Sequence, residues 1–405
     1  MAVHVVNEAK RCLQCKKPAC QMSGCPIGTH IPEMIRLFRE GKGQEAASML
    51  FENNPVSIFC SLVCDHEHQC EGNCVRAKSG NAVQISSIEH YISDAFFEKL
   101  ELKKEPPKGK KVAVVGSGPA GLSVAVDMAM RGYDVTIFER KDLLGGTMRY
   151  GIPSFRLPRT LLDRYEKMLR KLGVHIRPNT TIGGALHLDD LFSDGYKAIF
   201  IGSGTLRARR LGVPGESLGN VHYAIDYLQN PDAYQLGDSV AVIGAGNSAM
   251  DAARTALREG SRFVTVYVRG TEASASHREI EYAMADGVDF VYGVSAHEIT
   301  DEGPVFIQKS YDENGNVTGE SGPTLFEADS TIIAVSQGPK DKLVSTTSGL
   351  AVTERGLVEV DEKGQTSRPG IFSAGDVVTG PRNVVLAAKA AKEVAANMAA
   401  YLETV

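Results

Sequence analysis

Eight cysteines stand at positions 12, 15, 20, 25, 60, 64, 70 and 74, and none follows Cys74. Thiolates are soft metal ligands. This many at the start of one chain read as a metal-binding module rather than as disulfides, which a reducing cytosol would not keep. The first group is C-x2-C-x4-C-x4-C-P, from Cys12 through Cys15 and Cys20 to Cys25–Pro26. Only Cys12 and Cys15 keep the spacing of a zinc knuckle. A cysteine before proline fits iron–sulfur runs, in which that residue can ligate the other of two clusters. The spacing therefore favours iron–sulfur over structural zinc. The second group runs from Cys60 and Cys64 to Cys70 and Cys74, with His66 and His68 inside it. Both histidines could serve as ligands, but with thiols in supply they read as exposed loop residues. Iron–sulfur clusters carry one electron each, so the module is a one-electron device.

Two glycine-rich turns follow. Lys111–Val115 is a short β-branched run, as a buried parallel strand should be. It leads into Gly116, Gly118 and Gly121, spaced G-x-G-x-x-G. The first glycine permits the tight turn, the second lets a pyrophosphate approach, and the third lets the helix pack on the strand. The helix Leu122–Met130 then presents its N-terminus to the phosphates. Strand Asp134–Phe138 ends in Glu139, about twenty residues on, where an acid binds ribose hydroxyls. The signal recurs at strand Ser239–Ile243, with Gly244, Gly246 and Ala249, helix Met250–Glu259 and strand Val264–Val268. Here Arg269 replaces the acid. An arginine there can meet a 2′-phosphate; the alternative is a surface arginine at a strand end.

The elements that position these residues can be read in outline. Pro32–Leu50 and Ile85–Leu100 carry helical signals between and after the cysteine groups, and so short a segment is expected to fold around what it binds. Glu101–Lys110 is a charged Pro–Pro linker. Leu144-Gly-Gly146 and Tyr150-Gly-Ile-Pro153 are turns that could lie over a ring system. Leu161–Leu172 reads as an amphipathic helix, and Ala198–Ile201 as a strand closing on Gly202–Thr205. After the second glycine turn the first pattern resumes: strand Ser330–Val335, then Gly370–Asp376 delivering an acid, then helix Val384–Leu402. A sheet interrupted and resumed is an inserted-domain architecture. The expectation is an α/β fold of two Rossmann-like dinucleotide domains, one inserted in the other, behind a helical iron–sulfur domain. The boundaries read as 1–105 for the cysteine module, 106–225 with 335–405 for a flavin domain, and 226–334 for a nicotinamide domain.

Length and composition agree. The 405 residues allow two or three domains. A net charge of −5 leaves no electrostatic footprint for nucleic acid. No apolar run approaches a membrane span, and residues 1–15 lack the apolar core of a signal peptide, so a cytoplasmic protein is expected. Two dinucleotide folds point to a flavin dinucleotide and a nicotinamide dinucleotide in one chain. A hydride brings two electrons, a flavin can release them singly, and clusters take one each. With no cysteine beyond Cys74, neither dinucleotide domain holds a redox disulfide, so the electrons leave through the N-terminal module.

At this point the sequence resembles the glutamate synthase small-subunit family, with relatives in the N-terminal half of dihydropyrimidine dehydrogenase, its bacterial separate subunit, and the large subunit of NADH-dependent ferredoxin:NADP oxidoreductase. The resemblance spans essentially the whole chain. It rests on both cysteine groups, Ile88–Ile92 (IEHYI), VVGSGPAG, Tyr150–Pro158 (YGIPSFRLP), VIGAGNSAMD and FSAGD. It implies FAD in the first dinucleotide unit, NAD(P)H in the second, and two 4Fe–4S clusters. It assigns Cys25, Cys64, Cys70 and Cys74 to one cluster. The other takes Cys12, Cys15 and Cys20 with a fourth ligand, Glu89 or Cys60. FAD contacts are expected at Gly116, Gly118, Pro119, Ala120, Gly121, Glu139, Arg140, Gly145, Gly146, Arg156, Gly204, Gly375 and Asp376, the last holding the ribityl chain. NAD(P)H contacts are expected at Gly244, Gly246, Asn247, Ser248, Ala249 and Arg269. Many relatives carry two bases where this chain has Arg269–Gly270, which leaves the choice between NADH and NADPH open. No nucleophile or paired-carboxylate pattern appears, so the expected role is an electron-input subunit for a larger catalytic or electron-accepting partner, ferredoxin-linked systems included. The alternatives are a stand-alone NAD(P)H:acceptor reductase and a nucleotide-binding redox sensor.

Overall fold

The computed structural model describes residues 2–312, 317–340 and 342–405. The chain divides into two compact units, one of Met1–Met148, Ser154–Thr205 and Pro339–Val405, the other of Arg149–Pro153 and Leu206–Gly338.

The first unit opens with helices α1 (Ala2–Lys10), α2 (Ile31–Arg39), α3 (Gly43–Asn53), α4 (Ser57–Val63) and α5 (Ile85–Ala95). The helical stretch expected over 32–50 is two helices, because Gly41 turns the chain at φ +77°. The stretch from Ile85 ends at Ala95 and continues only as a 3-10 turn, Phe97–Lys99. Contrary to the expectation of a coreless segment, Ile31, Met34, Ile35, Leu50, Ile88 and Ile92 form a buried cluster, against which Cys12, Cys20, Cys25 and Cys74 pack. Each such side chain contributes about 1.5–3 kcal/mol of apolar burial.

Strand β1 (Lys111–Val115) then runs into α6 (Pro119–Met130), β2 (Asp134–Phe138), α7 (Arg159–Leu172), β3 (His175–Arg177) and β4 (Tyr196–Ile201). A Cβ on Gly121 would sit 2.0 Å from the Gly116 carbonyl oxygen, so helix and strand meet at a distance only glycine permits. Glu105 N–H donates to Met130 O at 2.7 Å and Lys108 N–H to Gly132 O at 3.0 Å, which lays the linker along the end of α6.

Within this unit the cysteine module is fastened to the sheet domain. The Tyr165 ring of α7 lies 5.1 Å from Phe59 and 5.9 Å from Phe97 by centroid. Arg164 reaches Asp94 and Glu98.

The second unit contains β5 (Val221–Tyr223), β6 (Ser239–Ile243), α8 (Asn247–Arg258), β7 (Phe263–Val268), α9 (His277–Asp286), β8 (Asp289–Tyr292), β9 (Val294–Thr300), β10 (Gly303–Tyr311) and β11 (Ser330–Ile333). Its five-stranded sheet has the order β5-β11-β6-β7-β8, every pair parallel. Strands β9 and β10 pair antiparallel beside it. The chain then returns to the first unit as β12 (Ile371–Ser373) and α10 (Val384–Leu402). That sheet, β12-β4-β1-β2-β3, is also wholly parallel. Lys392 of α10 donates to the Asn53 carbonyl and side-chain oxygens at 2.9 Å, a further tie to the cysteine module. No helix among the described residues is long and apolar enough to cross a membrane.

In the second unit, Arg254 of α8 is 8% exposed and pairs with the equally buried Glu279 at 3.1 Å and with Asp286 at 2.7 Å. Removing one partner of a buried pair strands the other charge. Arg254→Ala is expected to cost about 3 kcal/mol of stability, read from the shift in urea unfolding midpoint.

Candidate functional site

The thiols form two sets. Cys12, Cys15, Cys20 and Cys74 line one cavity of about 390 Å³, counted to its open mouth, together with Leu13, Ile31, Ile35, Val75 and Arg76. Cys12 leads out of α1, Cys15 and Cys20 follow in the next loop, and Cys74 arrives from the far end of the second cysteine group. Burial raises the Cys12 thiol above its ordinary value, and the neighbouring Cys15 and Cys74 add to the rise. Cys20 is pushed up to about 11, first by burial and next by Cys74. Two thiols raised by burial and by the thiols beside them favour a cationic centre that takes the set as thiolates. The Arg76 Nε in this cavity wall is buried without a hydrogen-bond acceptor. A sulfide-bearing cluster supplies such an acceptor, so the donor set fits one.

The second set gathers across the tight contact at Gly24. A Cβ there would lie 2.7 Å from Gln69 O and 3.0 Å from the Cys70 Cα, so Cys25 is delivered beside Cys70. The Cys70 thiol is raised mainly by burial, then by Glu89, Glu71 and Cys25. Cys64 is raised by a hydrogen bond with Cys60, by burial, and by the charges of Cys60, Glu89 and Cys70. Glu89, on α5, is buried, and this lifts its carboxyl to about 8, with Glu71 adding to the rise. Thr29 N–H lies 3.4 Å from Cys25 Sγ, and Asn54 Nδ2 donates to Cys60 Sγ at 3.3 Å.

This arrangement corrects the division drawn from the sequence. Cys74 joins Cys12, Cys15 and Cys20, whereas Glu89 stands with Cys64 and Cys70. Successive turns over Glu71–Asn73, with Cys74 N–H bonded to Glu71 O at 2.9 Å, carry Cys74 to the other set. Spacing along the chain gives no sign of that reversal. His66 is likewise buried rather than exposed, while His68 is exposed and holds Asp65 at 2.9 Å. Among the described residues no three of the His, Cys, Asp and Glu side chains close to the spacing of a single metal ion.

The first glycine turn is an open cradle. A Cβ on Gly118 would meet nothing within 4 Å, whereas one on Gly116 would lie 2.6 Å from Gly202 O. Gly116 and Gly121 are therefore fixed by the fold, and Gly118 is free of it. Pro119 and Ala120 open α6 above the turn. Glu139 is buried at the end of β2 and accepts from Ser117 N–H at 3.0 Å and Lys141 N–H at 2.8 Å. Arg140 follows it, half-buried. Gly145 N–H donates to Ser117 Oγ at 3.0 Å, and Gly146 packs against the Gly118 Cα, so this loop closes one side of the cradle. Gly204 turns the chain after β4 at φ +66°. Gly375, at φ +80°, lets the loop after β12 pass Ala120 and carries Asp376 to this end of the sheet. Arg156 lies half-buried in a turn of the Tyr150–Pro158 stretch.

The second turn repeats the pattern. A Cβ on Gly244 would lie 2.5 Å from Ala334 O, but one on Gly246 would have only Ser274 Oγ, at 3.9 Å. Asn247 and Ser248 start α8, Ala249 is buried in the core, and Asn247 Oδ1 accepts from Ser276 N–H at 3.0 Å. Arg269 stands exposed just past β7.

Residues 110–391 match the family described as pyridine nucleotide-disulphide oxidoreductase, and residues 2–101 match dihydropyrimidine dehydrogenase domain II, 4Fe-4S cluster. The glutamate synthase [NADPH] small chain of Azospirillum brasilense is 33% identical over 98% of this chain and 88% of its own length. The chain belongs to the glutamate synthase small-chain family. Another relative, the NAD-dependent dihydropyrimidine dehydrogenase subunit PreT of Salmonella typhimurium, is 33% identical over 98% of this chain and 94% of its own. FprA of Mycobacterium tuberculosis, solved in complex with NADPH, shares the fold with a TM-score of 0.59 at 19% identity, over 74% of this chain and 85% of that one. As a family member the chain is an NAD(P)H-dependent oxidoreductase whose cofactors are FAD and 4Fe–4S centres.

Asp376 gives a pH signature. Burial lifts its carboxyl to about 6, against a weaker opposing bond from Arg382 N–H. The unfolded value is about 3.9. Between about pH 4 and 6 the folded chain keeps a proton that the unfolded chain has released, so this residue's contribution makes the FAD-free protein less stable as pH rises through that window. Asp376→Asn is expected to remove that slope from unfolding free energies measured across the range.

Proposed function

We propose that this chain is an electron-input subunit: it takes a hydride from NAD(P)H and passes single electrons through two 4Fe–4S clusters to a separate partner protein. FAD, when bound, supplies the conversion between two-electron and one-electron chemistry. The cluster module is assigned to 1–105. The expected boundaries at 225 and 335 move to 205 and 339, because Val221–Tyr223 and Ser330–Ile333, the latter expected to resume the first sheet, pair within the second. The flavin domain is therefore assigned to 106–205 and 339–405, and the nicotinamide domain to 206–338.

The observation that carries this reading is the placement of the thiols. All eight lie in the module, in two sets, and both glycine cradles lie in sheet domains that contain none. A flavin disulfide reductase needs a cysteine pair of its own beside the ring, and here there is no such pair to use. The names of the relatives support a partner, since the glutamate synthase small chain and PreT are both named as parts of larger enzymes.

The residues then have distinct tasks. Gly118 leaves room for the pyrophosphate, Glu139 is assigned to the adenosine ribose, and Asp376 to the ribityl chain. Gly246 repeats the first task for NAD(P)H, and Arg269 is assigned to a 2′-phosphate. One cluster is assigned to Cys12, Cys15, Cys20 and Cys74. The other is assigned to Cys25, Cys64, Cys70 and Glu89, and a carboxylate is a harder ligand than a thiolate and shifts the potential. Cys60 is left as a neighbour of Cys64.

Gly118→Val is expected to fold and yet bind no FAD, because its side chain fills only the cradle. Flavin retained in the purified variant contradicts the assignment.

Anaerobically prepared protein should hold about eight iron and eight sulfide per chain. Cys74→Ala should lose about half of both, and Cys60→Ala should keep all of both. The function itself is tested in Cys74→Ala by stopped flow. Flavin reduction by NAD(P)H should stay at the wild-type rate while electron delivery to the co-purifying partner is lost. Delivery at the wild-type rate in a variant shown to lack that cluster would mean that electrons leave from the flavin.

A further inference from the structure

We propose that the face around Cys12, Cys15, Cys20 and Cys74 is a docking surface for an acidic protein that carries a one-electron redox centre. The inference rests on reading that cavity as a cluster site, and goes beyond it by naming what binds there.

The first observation is an apolar collar. Leu13 is 57% exposed, Met22 70% and Val75 45%, and Met22 is the most exposed of the large apolar residues described. Leu13 and Val75 line the mouth of the thiol cavity, and Met22 follows Cys20 by two residues. Exposed apolar groups scattered singly need no explanation, but two at the mouth of one cavity, with a third two residues along the chain from its Cys20, mark an interaction site.

The second observation is charge. Residues 10–22 hold Lys10, Arg11, Lys16 and Lys17 and no acid, and residues 74–79 hold Arg76 and Lys78 and no acid, in a chain whose net charge is −5. Arg39 adds a further positive charge that acts on Cys12. The acids nearby are engaged: Glu8 by Arg11, and Glu33 and Glu40 by Arg36. Lys16, Lys17 and Lys78 are exposed and make no ion pair among the described residues. An apolar centre with a charged rim is the usual anatomy of a transient protein interface, and the rim sets the sign of the partner.

The chemistry selects a redox protein over other polyanions. The cavity holds four thiols at the centre of the patch, so an occupant of the patch covers the metal site. Electron transfer falls steeply with distance, and a nucleic acid or a lipid headgroup offers no acceptor. In the step inferred, one electron leaves the reduced cluster and reduces the partner's centre by one, with no bond made or broken and no proton moved.

The test uses the holoprotein with NAD(P)H in excess and an acidic ferredoxin as probe, followed by its absorbance. Wild type should reduce it in a salt-sensitive way. The triple variant Lys16→Glu, Lys17→Glu, Lys78→Glu should raise the KM for ferredoxin about tenfold or more at low salt and lose most of the salt dependence. Met22→Asp should raise the KM in a way salt does not rescue. Flavin reduction and ferricyanide reduction should stay unchanged in both variants. Ferredoxin reduction by the triple variant at the wild-type KM overturns the proposal, as does a loss confined to binding of duplex DNA or anionic vesicles. The underlying cluster reading fails separately, by a Cys74→Ala protein that keeps its full iron and sulfide.

Discussion

One buried ring joins the cysteine module to the first sheet domain. Tyr165 projects from the flavin-type domain between Phe59 and Phe97 of the cysteine module, and its neighbour Arg164 reaches Asp94 and Glu98 on the same border. Phe59 precedes Cys60 and belongs to the short helix that ends at Cys64, so the wedge that joins the domains also fixes one edge of the second thiol set. Electron transfer is indifferent to most details of a protein, but it is unforgiving of distance. A joint made of aromatic contact and ion pairs, with Lys392 on Asn53 as a third point, would hold that distance constant.

The two glycine turns show how one motif divides its labour. Gly116 and Gly121 are there because strand, helix and neighbouring loop approach closer than a side chain permits. Gly118 and Gly246 have room around them, so the fold itself does not need their lack of a side chain. The thiol sets divide differently. Cys12, Cys15, Cys20 and Cys74 stand around an open-mouthed cavity. Cys70 and Glu89 are buried, in a set where oxygen as well as sulfur is offered. Two sets that differ in their donors and in their exposure would give the centres they hold different potentials.

Much of this was legible from residue types alone. The strands Lys111–Val115, Asp134–Phe138 and Ser239–Ile243 and the helix Val384–Leu402 fall where the apolar runs and glycines put them, since a buried parallel strand leaves a short, dense signature. The antiparallel pair over Val294–Tyr311 was not legible, because its half-exposed strands alternate weakly and carry no turn motif. The helix His277–Asp286 was missed for a similar reason: its outer face is polar and only Glu279 and Ala283 are buried. At the site, the residue types gathered in the module could be read, but their partition into two sets could not. Which side of a loop Cys74 faces depends on three turn residues whose conformations no spacing rule encodes. The burial of His66 escaped for the same reason.

The segment Glu101–Lys110 has the composition of a tether, yet it is bonded at Glu105 and Lys108 to the end of α6, and Lys108 also holds Glu403 at 3.0 Å. A tether lets a carrier swing between donor and acceptor, as mobile arms do in enzymes that ferry groups between distant sites. A strap does not. The cysteine module is therefore held in place, and on the proposed function its internal electron steps should be as fast in glycerol as in water. Any dependence on solvent viscosity would enter only where a second molecule must arrive.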